Sequence, residues 1–242
     1  MITVGVAVTC FNHAAYTRQG LETLIAHTQC DGEFEFKFLL LDDCSTDDTP
    51  AIAQEERFGS VGYWRSARNA GVTYLWNRAY QLSPGVDYLL ISNNDVIFTP
   101  SWCQILLREM RLNGARMAGP VTNGPGHVPE QDVRNLIPGY EPSDDLLAIR
   151  SVAECLQGRA SYTVDRINGF CMAFDRSLLA EADSQGAGTP FDPGYRDFGN
   201  EDEFQRRLKP RPLVVPSCFV FHYKRVSTAG RPRPFHQYRG RL

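Results

Sequence analysis

The sequence contains no apolar run approaching the ~18 residues that a membrane-spanning helix needs, so no segment reads as a transmembrane helix. It has no Cys-x-x-Cys pair, and its seven cysteines are odd in number. That argues against a disulfide framework. Cys10, Cys44, Cys171 and Cys218 instead read as small apolar residues in or beside strands, and free thiols fit a reducing, cytoplasmic setting. The opening MITVGVAVTCFN has no basic leader and reads as a strand rather than a signal peptide. No Gly-rich, Lys- or Arg-bearing phosphate loop follows that strand, where TCFNHAAYTRQG stands. This weighs against a nucleotidyltransferase.

Acidic residues are also missing from the end of the chain: none occurs after Glu203. Residues 204–242 hold ten of the 25 Lys and Arg, so fifteen cations meet 28 acids before them, a net of −13. A basic end of this kind either meets phosphates, an anionic membrane surface or nucleic acid, or is a solvated tail balancing an acidic body. RPRPFHQYRGRL interleaves basic and aromatic residues as single-strand binders do. It is short and Pro-containing, and reads better as peripheral contact with an anionic surface or as a lid over a ligand.

What is present is enough for one sizeable core: 242 residues, 43% hydrophobic. ITVGVAVTC, FEFKFLLLDD, VGYWR and VDYLLIS read as strands. Between them lie a helix carrying Leu21, Leu24 and Ile25, a helix started by STDDTPAIAQEE with Pro50 in its first turn, and a helix over NAGVTYLWNRAYQL. TPSWCQILLREMRLNG is a further helix, with Pro100 at its start and Gly114 past its end, and ARMAGPVT a fifth strand. This alternation predicts an α/β domain with a mostly parallel central sheet and helices on both faces. Residues 122–160 are rich in turn formers and read as an irregular insertion. Then come a strand and helix in INGFCMAFDRSLL, a loop and helix in FDPGYRDFGNEDEFQRRL, and a strand in PLVVPSCFVFHYK that ends at a histidine.

The polar clusters fall at strand carboxyl ends, where such sheets bind ligands. Asp42 and Asp43 point opposite ways at a strand end. Either one enters the cleft while the other caps the turn, or both are turn and cap residues. Asn93, Asn94 and Asp95 interrupt an apolar stretch, as a turn or as part of an ion site. Asp95 suffices for Mg²⁺ or Mn²⁺ only with a diphosphate and one more protein ligand. His222 is the candidate for that ligand, since imidazole suits Mn²⁺ better than Mg²⁺; the other reading is a packed strand-end histidine. Glu201, Asp202 and Glu203 stand at a helix start. They either complement its dipole, with Asp202 paired to Arg206, or supply one general base.

Each cluster is ambiguous alone, but their order is not. VAVTCFN, LLLDDCSTDDT, RNAGVTYLWNRAY, LLISNNDVIFTPSWC, INGFCMAFDRSLL, FGNEDEFQRRL and FHYKRVS together resemble family 2 glycosyltransferases of the GT-A fold, over residues 2–228. The NNDV…P.W variant is similar to a rhamnosyltransferase-like branch. The resemblance implies inverting transfer from a nucleotide sugar (UDP-, dTDP- or GDP-linked) to a glycan, lipid-linked, protein or nucleic-acid acceptor. It implies Thr9 and Phe11 at the nucleobase, Asp43 bonding the base, and Arg68, Asn69 and Gly71 near the ribose and diphosphate. Asn94 and Asp95 would replace the usual acidic pair, with Asp95 and His222 holding Mn²⁺ or Mg²⁺. Gly169 and Phe170 would border the donor sugar, Glu201 would bind sugar or acceptor hydroxyls, and Asp202 would be the base. Residues 1–121 would form the nucleotide-binding half, 122–160 the insertion, 161–228 the acceptor half and 229–242 the basic tail. A catalytically silent binding module of the same fold is the alternative.

Overall fold

The computed structural model describes residues 1–224. Arg225, Arg231, Arg233, Arg239 and Arg241, and with them the basic tail over 229–242, lie outside the described residues.

Strands β1 (Ile2–Cys10), β2 (Phe34–Asp42), β3 (Val61–Arg65) and β4 (Tyr88–Asn93) form from the β-branched and aromatic runs. They pair in parallel in the order β3-β2-β1-β4. Helices α1 (Ala14–His27) and α3 (Val72–Leu82) make two of the crossovers. Between β2 and β3 the expected helix shrinks to one turn, α2 (Thr49–Ile52), followed by a 3₁₀ turn at Glu56–Phe58. Only Ile52 and Phe58 are buried apolar anchors there, too few to repay the cost of helix nucleation.

Past β4 the pattern changes. A two-residue link leads to β5 (Val96–Phe98), then α4 (Trp102–Leu112), β6 (Met117–Val121), α5 (Leu146–Cys155), β7 (Tyr162–Thr163), β8 (Cys171–Asp175), α6 (Arg176–Ala182), α7 (Asn200–Leu208) and β9 (Leu213–His222). The sheet runs β3-β2-β1-β4-β8-β6-β9-β5, with β7 also on β9. Here β4–β8, β6–β8, β5–β9 and β7–β9 are antiparallel and β6–β9 is parallel. The parallel half is thus joined to a mixed half. A link as short as 94–95 has no length for a crossover, so β5 leaves β4 and pairs with β9 at the far edge.

Alternate residues of β1 feed two cores. Val4, Val6 and Val8 pack with Leu21 and Leu24 of α1 and Leu106, Leu107 and Met110 of α4. On the other face Ala7 joins Leu75 and Trp76 of α3, Leu178 of α6 and Phe204 of α7. Residues 122–160 are more ordered than the sequence implies. They hold two 3₁₀ turns and α5, which Asp145 caps by accepting from the Ala148 N–H at 2.9 Å. Of α5's own residues only Ile149 and Ala153 are buried, so its apolar signal is thin. The seven cysteines are all free, and no described helix is long and apolar enough to cross a membrane.

The turn after β4 rests on α1. Asn94 is buried, and its amide donates to Thr17 Oγ1 at 2.8 Å. A Cβ on Gly20 would come within 2.9 Å of the Asn94 carbonyl oxygen. Alanine at this position would regain about 1 kcal/mol of helix propensity, whereas a β-branched side chain regains less and adds bulk. Gly20→Val is therefore expected to destabilise by about 1–3 kcal/mol, or roughly 2–4 °C in Tm per kcal/mol for a chain of this size. Differential scanning calorimetry checks this, and an unchanged Tm would show that the turn yields freely.

Candidate active site

The carboxyl ends of the first four strands share one edge. Cys10 lies opposite Asp42, Thr9 opposite Asn93, and Asp42 opposite Arg65. Ser92 pairs with Cys171, which brings the Gly169–Phe170 segment to the same edge. The β5–β9 register sets Val96 opposite His222, and the Tyr223 N–H donates to the Asp95 carbonyl at 3.0 Å. As a result Asp95 Oδ1 lies 3.4 Å from His222 Nε2, both side chains nearly sealed from solvent.

The imidazole is oriented from behind. His222 Nδ1 lies 3.3 Å from the Gly124 carbonyl, which only accepts, so Nδ1 carries the proton. Asn123 pairs with the His222 backbone in both directions, accepting its N–H at 2.8 Å and donating to its carbonyl at 3.0 Å. Phe170 stacks on the ring, with centroids 5.1 Å apart. His222 Nε2 itself is buried and has no hydrogen-bond partner. A nitrogen lone pair facing a carboxylate oxygen suits a cation that takes both, with Mn²⁺ fitting the mixed donors better than Mg²⁺. Among the described residues no group of three or more His, Cys, Asp or Glu is arranged around a metal.

Gly199 precedes helix α7, and its left-handed φ of 76° lets the chain turn into the helix. Its first turn presents three carboxylates in three environments. Glu203 pairs with Arg207 at 2.7 Å; this is the helix's own i,i+4 pair, in place of the one expected between Asp202 and Arg206. Asp202 turns instead to His127, with Oδ1 3.2 Å from Nε2, and to Arg166 Nη1 at 3.8 Å. Burial works to raise the Asp202 carboxyl, but the His127 hydrogen bond and the charges of His127 and Arg166 outweigh it and hold it below the usual range. Glu201 sits against Gly169, where a Cβ would lie 3.2 Å from its carboxyl carbon. Burial, and then the Asp202 charge, push its carboxyl up. His127 and Arg166 are the residues that sequence reading missed. Neither lies in a patterned stretch, and only the fold brings them to α7.

The two aspartates at the end of β2 divide as their opposite directions require. Asp42 is fully buried, accepting from the Ser45 N–H at 2.7 Å and the Tyr63 hydroxyl at 2.7 Å, with Arg65 alongside. Asp43 accepts the Ala70 N–H on Oδ1 at 2.7 Å and the Gly71 N–H on Oδ2 at 2.8 Å. Burial raises its carboxyl against those two donors. The Asp43 carboxylate is therefore a clamp on the turn before α3, and the expectation that it bonds a base must share the group with that clamp. Gly71, at φ 95°, faces Arg196 and Asp197 too closely for any side chain, and Arg196 donates to both the side chain and the carbonyl of Asn69.

Phe170 is 1% exposed, and its ring is the backing of His222. Asn94 commits its side-chain N–H to Thr17 of α1, whereas Asp95 approaches His222. Thr9 is buried and donates to the Ser92 carbonyl at 3.3 Å. Phe11 is half-buried and Arg68 exposed beside the same edge.

A family model described as Glycosyl transferase family 2 matches residues 5–183. No curated protein matches the sequence. Among solved structures, the chain is similar to GalNAc-T7 with UDP, GalNAc and Mn²⁺ (TM-score 0.64, 15% identity, covering 92% of this chain and 44% of that one). It is similar to S. aureus TarS 1–349 in complex with UDP (0.62, 15%, 91% and 60%). A third is the mannosyltransferase PcManGT from Pyrobaculum calidifontis with GDP-Man and Mn²⁺ (0.60, 15%, 90% and 56%). At this identity the likeness is one of fold, the GT-A arrangement, and the chain spans about half the length of these proteins.

Asp43→Ala strands two backbone donors at once. It is expected to cost about 1–3 kcal/mol for each N–H left without an acceptor, read as a lower urea midpoint. A midpoint equal to wild type would show that water replaces the clamp.

Proposed function

We propose a function from one premise: the chain belongs to glycosyl transferase family 2. On that premise it moves a sugar from a nucleotide-diphosphate donor to an acceptor hydroxyl, with inversion at the sugar C1. The observation that carries this reading is the 3.4 Å approach of Asp95 to His222, with one loop touching both His222, through Asn123 and Gly124, and Asp202, through His127. The proteins of like fold were crystallised with UDP or GDP-Man, two of them with Mn²⁺. That supports a UDP-, dTDP- or GDP-sugar donor and a divalent cation here, and the asparagine-rich turn before Asp95 fits a rhamnosyltransferase-like branch.

The roles follow from the environments. The acceptor oxygen attacks C1 from the face opposite the leaving diphosphate, and Asp202 takes its proton. Asp202 is ionised at neutral pH, as a proton acceptor must be, although the neighbours that hold it below the usual range also make it a weaker base. Glu201, resting on Gly169, binds sugar or acceptor hydroxyls, and the absence of a side chain at 169 leaves the space it needs. Asp95 and His222 hold the cation, which when bound supplies Lewis-acid stabilisation to the leaving group. Arg68 and Lys224 add positive charge on the donor side. Residues 1–228 act as the catalytic domain, 1–121 serving the donor and 161–228 the acceptor. The basic tail provides peripheral contact with an anionic surface.

A silent binding module is the second reading, favoured by Asn94, whose amide is committed to α1. Release of nucleotide from a panel of nucleotide sugars with Mn²⁺ separates the two: donor-dependent stabilisation without turnover on any donor would favour the module. Asp202→Asn is expected to lower transfer by about 10²–10⁴-fold while donor affinity stays at the wild-type value. Near-normal turnover would overturn the base assignment. With only two protein ligands, Mn²⁺ is expected to bind weakly to nucleotide-free protein and tightly once nucleoside diphosphate is present. Isothermal titration calorimetry reads the difference, and tight binding without nucleotide would count against the shared site.

A further inference from the structure

Residues 122–131, which lead out of β6, do more than connect it to α5. Asn123 and Gly124 hold the backbone and ring of His222. Three residues on, His127 reaches Asp202. The Val128 N–H closes the turn between them on the Pro125 carbonyl at 3.2 Å. Gly126 sits at φ 66°, where a Cβ would meet Asn168 Nδ2 at 2.7 Å. Fully buried Gln131 donates to the Pro120 carbonyl at 2.8 Å and accepts the Asn168 N–H at 2.6 Å. His127 is delivered to α7 by a braced loop.

We propose that His127 is the positioning residue of the base, holding Asp202 Oδ1 so that the other carboxylate oxygen faces the acceptor hydroxyl. The inference rests on the assignment of Asp202 as base and goes beyond it. Both contacts to the Asp202 carboxylate, from His127 at 3.2 Å and Arg166 at 3.8 Å, fall on Oδ1. A neutral imidazole with its proton on Nε2 donates to that oxygen and fixes the carboxylate plane. A charged one makes a stronger hydrogen bond and weakens Asp202 as a proton acceptor.

The ionisable groups facing His127 are Asp202 and Glu201 from α7 and Arg166 from the loop before β8. The Asp202 hydrogen bond does most to raise the imidazole, burial opposes it, and the Asp202 and Glu201 charges add to the rise over the opposition of Arg166. With a raised pKa the positive form persists to higher pH than for an ordinary histidine. It is lost as pH rises through that value, so turnover climbs over the same interval.

The experiment measures kcat and donor KM against pH for wild type, His127→Ala, His127→Gln and Asp202→Asn. His127→Ala is expected to lower kcat by about 10–100-fold, the effect of a misplaced catalytic group, with donor KM unchanged and the acid limb gone. His127→Gln keeps an N–H donor and is expected to recover much of kcat with a flat profile over that interval. Wild-type kcat and an unaltered acid limb in His127→Ala overturn the proposal. So does a loss that falls on donor KM or Tm and that glutamine does not rescue. An inactive Asp202→Asn beside a wild-type-like His127→Ala sinks this inference alone, whereas an active Asp202→Asn sinks the base assignment beneath it.

Discussion

Val96 stands opposite His222 in the antiparallel pairing of β5 with β9, and the meeting of a carboxylate and an imidazole at one point follows from that register. Strand side chains alternate, so a slip of one residue would send His222 to the opposite face of the sheet. Three features resist the slip. Val96, Ile97 and Phe98 are all buried, in both cores. Thr99 Oγ1 donates to the Phe219 carbonyl at 2.6 Å. Asn123 grips the His222 backbone from the other side. The turn carrying Asp95 is held just as firmly from below, by Asn94 against Thr17 and by the bare backbone of Gly20.

Around that point, carboxylates of the same chemistry are sorted by surroundings. Asp43 and Glu201 are driven up by burial; Asp202 is drawn down by cationic neighbours despite burial. Environments that push neighbouring pKa values apart are how a site assigns different tasks to like groups. Asp202 and Glu201 are adjacent in the chain, yet helical geometry separates them by about 100°. One meets His127 and Arg166, the other meets Gly169 and Trp76 across the glycine.

The strands of the parallel half were legible because β-branched and aromatic runs are a local signal, and β3 and β9 end where their sequences imply. The α2 segment misled because helix-start chemistry at Ser45–Pro50 says nothing of whether buried anchors follow. Helix α5 was hidden because two buried residues are too few to make a stripe. Asp95, His222 and Asp202 could be named as candidates from their places at strand and helix ends. The commitments of Asp43, Asn94 and Phe170 could not, since each depends on a partner far away in the chain: Ala70 and Gly71, Thr17, and His222.

The sequence by itself determined the α/β alternation, the polar clusters at strand ends and the acid-free stretch after Glu203, because these depend on neighbours in the chain. Only the tertiary structure decided that the second half of the sheet is mixed, that residues 122–131 brace the site, and that His127 rather than Arg206 partners Asp202. Those outcomes come from contacts between residues tens of positions apart. Register, burial and backbone clearance select such contacts, and none of these is written in a local pattern.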